Sequence, residues 1–173
     1  VDLEHFNRDK WCGERRRLRD SWRVGKDDVV FLYSGAIAPE KGVLELARTF
    51  VNLIKVSAPA RLVVAGDAAL WEDGQSRSGA NQQQASYQHA VYEELDELTD
   101  RGRVIRLGPM PPDALPGVYA AADVVVVPSI VQEAFCLSAA EALAMSKPLV
   151  ACRVGGLVEF AGEENSLLVP PGD

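Results

Sequence analysis

The chain has 173 residues, of which 47% are hydrophobic and 25% charged, and this balance excludes disordered, collagen-like and coiled-coil proteins. A formal net charge of −7 argues against non-specific binding to nucleic acid or to an anionic membrane. No apolar run approaches the ~20 residues of a membrane span, and no signal peptide opens the chain. We therefore expect a soluble, cytoplasmic globular domain that can bury its own core.

The cysteine and histidine content argues against metal-bound or disulfide-linked classes. Cys12, Cys136 and Cys152 are odd in number and no two of them have CxxC spacing, which favours reduced thiols over a disulfide framework or a zinc knuckle. Only two histidines are present, so most zinc sites and histidine-based catalytic triads are disfavoured. We expect no bound metal.

The first segment, residues 1–26, is polar and basic. It predicts a short surface helix that leads into the core. The arginines at positions 15–17 and 19 indicate a solvated helix face more than a phosphate contact.

From residue 27 onward, short apolar runs alternate with segments of helical periodicity. The runs predict buried strands over residues 29–33, 61–66, 104–108, 124–127, 149–151 and 167–169. The periodic segments predict helices over residues 43–54, 85–100, 112–121 and 137–145, with a helical turn over 157–161. This alternation predicts an α/β fold, a doubly wound parallel sheet of about six strands with helices on both faces. Ligands of such sheets bind outside the carboxyl ends of the strands.

Residues 67–84 interrupt the alternation. The segment is polar and rich in Gly, Ser and Gln, with one large apolar residue, Trp71. Loops of this length are usually functional or mobile, and a polar segment buries too little surface to offset its ordering entropy. We predict that it is mobile.

Two glutamates flank a predicted helix start near Cys136. Glu133 follows the fourth strand, and Glu141 lies about a turn and a half into the helix. The amides of residues 135–137 are then unsatisfied helix N-terminal donors, suited to an anion or to sugar oxygens. For Glu133 alone, an acidic first turn that stabilises the helix dipole is the simpler alternative. The small residues around Glu141 instead indicate close approach of another group.

A second candidate is the segment SGAIAPEKG, residues 34–42. It places a glycine turn after the first strand and Lys41 before the next helix, where a phosphate could meet the ammonium and the local amides. The segment matches neither the P-loop nor the dinucleotide fingerprint. An ordinary strand–turn–helix with an exposed lysine is an equal alternative.

Seven segments together carry a specific pattern, and they are VDLEHF, YSGAIAPEKG, VVAGDA, VIRLGPMPPDALPGVYAAADVVVVPS, EAFCLSAAEALA, KPLVACRVGGLVE and LLVPPGD. This pattern resembles the C-terminal, donor-binding half of the retaining nucleotide-sugar glycosyltransferases (glycosyl transferases group 1). Those enzymes have two facing Rossmann-like domains, the GT-B fold. The resemblance covers nearly the whole chain. It implies a linker and surface helix in residues 1–26 and a nucleotide-sugar-binding domain in residues 27–173, incomplete at its C-terminus.

The resemblance also implies roles for individual residues. Lys41 would bind the donor pyrophosphate after the glycine turn at Gly35. Glu133, the implied catalytic residue, would lie near the hydroxyls of the transferred sugar, and Glu141 would bind the nucleotide ribose. The remaining donor-binding positions would contact the donor through their backbone. The backbone of Pro109 and Met110 would border the base. The amides of Phe135, Cys136 and Leu137 would face the sugar and the phosphates.

The implied activity is hexosyl transfer, with retention, from a nucleoside-diphosphate sugar to an acceptor. The nucleotide sugar is a substrate; no cofactor is implied, and the family works without a metal held by a DxD motif, which this chain lacks. The resemblance leads us to expect that the N-terminal acceptor-binding domain is missing from this chain and that this lobe alone is inactive.

The chain departs from the family pattern at two positions. Ala36 stands where an arginine commonly follows the first glycine, so a forked phosphate contact is lost that Lys41 cannot reproduce. Cys136 stands where the family usually has glycine, which could place the backbone farther from the sugar. A packing role for Cys136 is favoured over a reactive thiol.

Two alternatives differ in class from a donor lobe. A nucleotide-sugar epimerase would need a GxxGxxG turn and a Tyr-x-x-x-Lys pair, and the chain has neither. A degenerate binding or scaffold lobe without transferase activity is favoured by Ala36, whereas Lys41, Glu133 and Glu141 argue against it.

Overall fold

The computed structural model describes residues 1–56, 59–67 and 82–172 and the backbone of residues 71–72 and 75–76. Within these ranges the strands are β1 (Val29–Ser34), β2 (Ala60–Ala65), β3 (Trp71–Glu72), β4 (Gln75–Ser76), β5 (Val104–Gly108), β6 (Val124–Val127), β7 (Leu149–Cys152) and β8 (Ser166–Val169). All except β3 and β4 form one sheet, in the order β5-β2-β1-β6-β7-β8, and each neighbouring pair is parallel. Counted along the chain this order is 3-2-1-4-5-6, which confirms the predicted doubly wound, Rossmann-like fold.

The helices are α1 (Cys12–Ser21), α2 (Val43–Lys55), α3 (Gln82–Asp100), α4 (Leu115–Ala121) and α5 (Leu137–Ala144). The 3-10 turns are Arg8–Trp11, Pro39–Lys41, Pro112–Ala114 and Gly155–Glu159. The predicted strands and helices are confirmed to within a few residues. The largest differences are at α3, which begins at Gln82 rather than at residue 85, and at the predicted helix 112–121, whose first three residues form a 3-10 turn.

Both faces of the sheet are covered, as a doubly wound fold requires. Side chains of β1 and β2 alternate between two apolar clusters, because successive strand residues point to opposite faces. One cluster is closed by α2 and α3, which contribute Phe50 and Leu95 among others. The other is closed by α4 and α5, which contribute Tyr119 and Ala142 among others.

The N-terminal helix corrects the expectation of a solvated arginine face at two of its four arginines, whereas Arg16 and Arg17 are exposed as expected. Arg15 donates to the carbonyl oxygens of Ala120 and Ala122, at 2.9 and 2.7 Å, and to the carboxylate of Asp123 at 2.5 Å. Arg19 donates to the other Asp123 oxygen at 2.8 Å. These two guanidinium groups bind the C-terminal end of α4, where helix carbonyls lack intrahelical donors. The cluster of charged residues in the sequence could not predict these contacts, since the partners of the two arginines lie about 100 residues further along the chain.

The polar segment 67–84 contains the antiparallel pair formed by β3 and β4, and its last three residues belong to α3. Most of the segment lies outside the described residues. Its mobility therefore stays a prediction.

Candidate functional site

A cleft of about 610 Å³ opens at the carboxyl edge of the sheet, between the segments that leave β1 and β6. These two strands are neighbours, but β1 leads to α2 on one face and β6 leads to α5 on the other. The connections therefore diverge at this point of the sheet and leave a crevice between them. Doubly wound sheets bind their ligands at such a topological switch point.

Gly42 allows the 3-10 turn Pro39–Lys41 to pack against the loop after β6. Its φ of 65° lies in the left-handed region, and a Cβ there would be 2.0 Å from the carbonyl oxygen of Pro128. Next to this contact the amide of Ile130 donates to the carbonyl of Glu40 at 3.0 Å. The two segments are thus joined through their backbones, and Lys41 is held beside the loop that carries Glu133.

Glu133 is the most strongly bonded carboxylate of the cleft. Lys41 Nζ donates to its Oε1 at 2.9 Å, and the hydroxyl of Ser129, which is 2% exposed, donates to the same oxygen. Burial alone would raise the pKa of Glu133, but the hydrogen bonds from Ser129 and Lys41 outweigh it and lower that pKa. The glutamate is therefore ionised at neutral pH and paired with the lysine.

The glycine pair after β7 supports the Glu133 loop from below. The amide of Gly156 donates to the carbonyl of Glu133 at 2.9 Å, and the amide of Gly155 donates to Oε1 of Gln132 at 2.7 Å. Gly155 has a φ of 51°, and a Cβ at this position would lie 2.0 Å from the Glu133 carbonyl oxygen. The close approach fixes the loop backbone and leaves the Glu133 side chain directed into the cleft.

The first turn of α5 forms one wall of the cleft. Its N-cap, Cys136, has a φ of 61°, the left-handed conformation that glycine adopts most easily. Cys136 is 6% exposed, and burial raises the pKa of its thiol, so the thiol is packed and protonated. Phe135 and Leu137 beside it are exposed at the cleft. The first amides of the helix have no intrahelical acceptor and remain suited to oxygen atoms of a ligand.

Glu141 lines the same cleft one turn further along α5. The hydroxyl of Tyr119, on α4, donates to Glu141 Oε2 at 2.8 Å. Burial raises the pKa of Glu141, and the Tyr119 hydrogen bond acts in the opposite direction. A half-buried carboxylate with one satisfied oxygen can accept further hydrogen bonds from a ligand hydroxyl.

The turn after β1 forms the opposite wall and includes Gly35 and Ala36. The hydroxyl of Tyr33 donates to the carbonyl of Ala36 at 2.5 Å and so shapes this turn. Ala36 offers only a methyl group to the cleft. Arg153, an arginine that could have taken the place of the missing one, is exposed and does not line the cleft.

Of the sequence-predicted site residues, those brought together around the cleft are Gly35, Lys41, Glu133, Phe135, Cys136, Leu137 and Glu141. Pro109 and Met110 are not among its lining residues. They follow β5, which is the edge strand two positions from β1, and Met110 packs against the core closed by α4 and α5. Sequence reasoning missed Ser129 and Tyr119, although a tyrosine predicted inside a buried helix signals a hydroxyl that must find a partner.

Two further observations concern the described part of the chain. Across residues 1–56, 59–67 and 82–172, no group of three or more His, Cys, Asp or Glu side chains could hold a metal ion. In the same ranges, no helix is long and apolar enough to cross a membrane.

The chain is similar to curated glycosyltransferases over most of its length. It is 39% identical over 144 residues, 83% of this chain, to the lipopolysaccharide 1,2-N-acetylglucosaminetransferase of Salmonella typhimurium. It is also 39% identical over 176 residues, 100% of this chain, to the D-inositol 3-phosphate glycosyltransferase of Saccharomonospora viridis. The chain spans 35% and 37% of the lengths of these two relatives.

Solved structures and a family model agree with this similarity. The Anabaena protein HepE in complex with UDP-glucose matches with a TM-score of 0.71 and 26% identity, covering 93% of this chain and 40% of that one. The model of the family described as glycosyl transferases group 1 matches residues 28–173. This chain therefore belongs to the glycosyl transferases group 1 family.

Proposed function

We propose that this chain is the donor-binding lobe of a retaining glycosyltransferase that moves a hexosyl group from a nucleoside-diphosphate sugar to an acceptor. The observation that carries the proposal is the cleft at the switch point. It gathers Lys41, Glu133, Glu141 and a helix N-terminus from the two segments that leave β1 and β6. Cation, carboxylates and free amides match the diphosphate, the hydroxyl groups and the oxygens of such a donor.

Lys41 and the first turn of α5 would bind the diphosphate. During transfer, negative charge grows on the oxygen of the leaving diphosphate, and positioned donors stabilise such charge. Lys41 supplies a cation there, and the amides of α5 supply the positive end of a helix. These groups need no metal ion to neutralise the leaving group, so we propose metal-independent transfer without a resident cofactor.

The two glutamates would divide the sugar moieties of the donor. Glu133, beside Lys41 on the β6 side, would accept hydrogen bonds from hydroxyls of the transferred hexose. Glu141, deeper along α5, would accept them from the nucleotide ribose. Pro109 and Met110 lie outside the cleft lining, so a base edged by their backbone would have to extend along the sheet edge past β2.

Support for a nucleotide-sugar donor also comes from the relatives. HepE was solved in complex with UDP-glucose, and two relatives are named a lipopolysaccharide 1,2-N-acetylglucosaminetransferase and a D-inositol 3-phosphate glycosyltransferase. The acceptor would bind to a second, N-terminal domain that acts together with this one. We propose such a domain because the relatives are longer than this chain. The chain alone should therefore bind the donor without transferring sugar. We place the enzyme in the cytoplasm, where nucleotide sugars are available.

The test is calorimetric titration of the chain with UDP, GDP, ADP and TDP and with their glucose conjugates. Glu141→Ala should weaken binding of the free diphosphate and of the nucleotide sugar about tenfold, because a hydrogen bond to a charged acceptor contributes roughly 1.5–3 kcal/mol. Glu133→Ala should weaken only the nucleotide sugar. Glu159→Ala, which removes an exposed carboxylate outside the cleft lining, is the matched control. Equal losses for both ligands in both cleft variants would refute the division of roles.

A second candidate is a degenerate lobe that keeps the fold without transferase activity. Ala36 favours it, because this position of the cleft offers no polar side chain to a phosphate. Absence of measurable binding for every diphosphate and nucleotide sugar of the panel, by a folded chain, would support this candidate over the donor lobe.

A further inference from the structure

Packing alone does not explain why residue 119 is a tyrosine and not a phenylalanine. Its ring lies in the core closed by α4 and α5, with an edge-to-face contact to Phe6 at 5.9 Å, and the residue is 0% exposed. A phenylalanine would fill this space equally well. The hydroxyl is the additional group, and its position at the end of a fixed ring is determined by the packing of the fold.

That hydroxyl has one proton, two acceptors within reach and a further side-chain hydrogen bond with Ser34. Glu141 Oε2 lies at 2.8 Å and the carbonyl oxygen of Ser138 at 3.3 Å. The charged, nearer carboxylate is the stronger acceptor, so Tyr119 donates to Glu141. Among the residues that the structure describes, Tyr119 is the only side chain that donates to Glu141, and the bond falls on Oε2.

We propose that Tyr119 is a positioning residue for donor binding. Its hydroxyl holds Oε2 of Glu141, so that Oε1 is presented to the hydroxyls of the nucleotide ribose. A free glutamate side chain would populate several rotamers and would lose that freedom when the ligand binds. The buried tyrosine removes this loss by fixing the carboxylate before the ligand arrives. The inference rests on the proposed role of Glu141.

The first test is Tyr119→Phe, which removes the hydroxyl and keeps the ring. Binding of the diphosphate that the wild-type chain prefers should weaken about 5- to 10-fold, in keeping with loss of one charge-assisted hydrogen bond. Binding of its 2′,3′-dideoxy counterpart should not change. Tyr87→Phe is the matched control, because the Tyr87 hydroxyl accepts from the amide of Leu44 away from the cleft. It should leave both affinities unchanged.

The second test is a double-mutant cycle with Glu141→Ala. If Tyr119 acts through Glu141, Tyr119→Phe should have no effect in the Glu141→Ala background. Equal weakening of both ligands, an undiminished effect in that background, or no effect in the wild-type background would each overturn the proposal. Thermal unfolding of each variant checks that the fold is kept. A wild-type chain that binds no diphosphate would instead refute the proposed function, and the positioning role with it.

Discussion

The ion pair between Lys41 and Glu133 predicts that one substitution will raise the affinity for a free nucleoside diphosphate without raising the affinity for the nucleotide sugar. In the empty cleft the ammonium already has a carboxylate partner, at 2.9 Å. A diphosphate that binds to Lys41 must share the ammonium with that carboxylate and must approach its negative charge. Glu133→Gln keeps an oxygen that can accept hydrogen bonds from Lys41 and Ser129, and it removes the charge.

The size of the effect follows from Coulomb's law. Two unit charges about 8 Å apart repel by roughly 1–2 kcal/mol at effective dielectric constants of about 20–40, the range for a partly open cleft. Removing the Glu133 charge should therefore tighten binding of a free nucleoside diphosphate about 5- to 30-fold. The nucleotide sugar loses charge-assisted hydrogen bonds of roughly 1.5–3 kcal/mol each at the same time. Its affinity should stay level or fall.

Calorimetric titration of both ligands at low and high salt measures this prediction. The gain for the diphosphate should shrink as salt is added, because the removed repulsion is electrostatic. Glu159→Gln, which neutralises an exposed carboxylate outside the cleft lining, should change neither affinity. A Glu133→Gln variant that binds the diphosphate more weakly than the wild type would refute the reasoning, because it would mean that the carboxylate helps to hold the phosphates.

Three further predictions concern other parts of the molecule. Ala36→Arg should tighten diphosphate binding about tenfold at low salt through a forked, charge-assisted contact, measured by the same titration; unchanged affinity in a folded variant would contradict it. Asp123→Asn should lower the free energy of unfolding by about 2 kcal/mol at pH 7, a value discounted for partial exposure. Burial alone would raise the pKa of Asp123, but the hydrogen bonds from Arg15, Val30 and Arg19 lower it in the folded state. The stabilisation by Asp123 is therefore present above the pKa of the unfolded state and is lost as pH falls through the pKa of the folded state. Urea unfolding from pH 7 to pH 3 should show the difference between variant and wild type closing, and a pH-independent difference would contradict the prediction. Gly42→Ala should destabilise by about 2 kcal/mol or more, because its Cβ would meet a backbone carbonyl at a positive φ; a melting temperature equal to that of the wild type would contradict the close approach.

The sheet could be predicted from sequence because its strands are buried on both faces. Each strand is then a short continuous run of apolar residues, such as the four valines of 124–127, and the runs are separated by helical periodicity. The start of α3 was placed three residues late, since its first turn is a run of glutamines without an apolar face, although Asn81 directly before it is a residue type that favours a helix start. The packing of Arg15 and Arg19 on α1 was also missed, because these two side chains bind carbonyls that are brought near only by the tertiary fold.

At the candidate site, too, the sequence predicted individual residues but not the contacts between distant segments. Lys41, Glu133 and Glu141 were each identified within their own segments, from a turn and from a helix start. That Lys41 and Glu133 form an ion pair depends on the contact between the β1 and β6 connections, which no single segment encodes. Ser129 and Tyr119 were missed for the same reason, because their hydroxyls gain a role only from the glutamates they face.

The central claim is that the cleft at the switch point binds the diphosphate of a nucleotide sugar. Amide chemical-shift mapping of the isotopically labelled chain, titrated with UDP, GDP, ADP and TDP, tests both the binding and its location. We predict saturable shifts for at least one diphosphate, largest at the amides of Lys41 and of Phe135, Cys136 and Leu137. Saturable shifts confined to another surface, or no shifts with any of these diphosphates in a folded chain, would contradict the account.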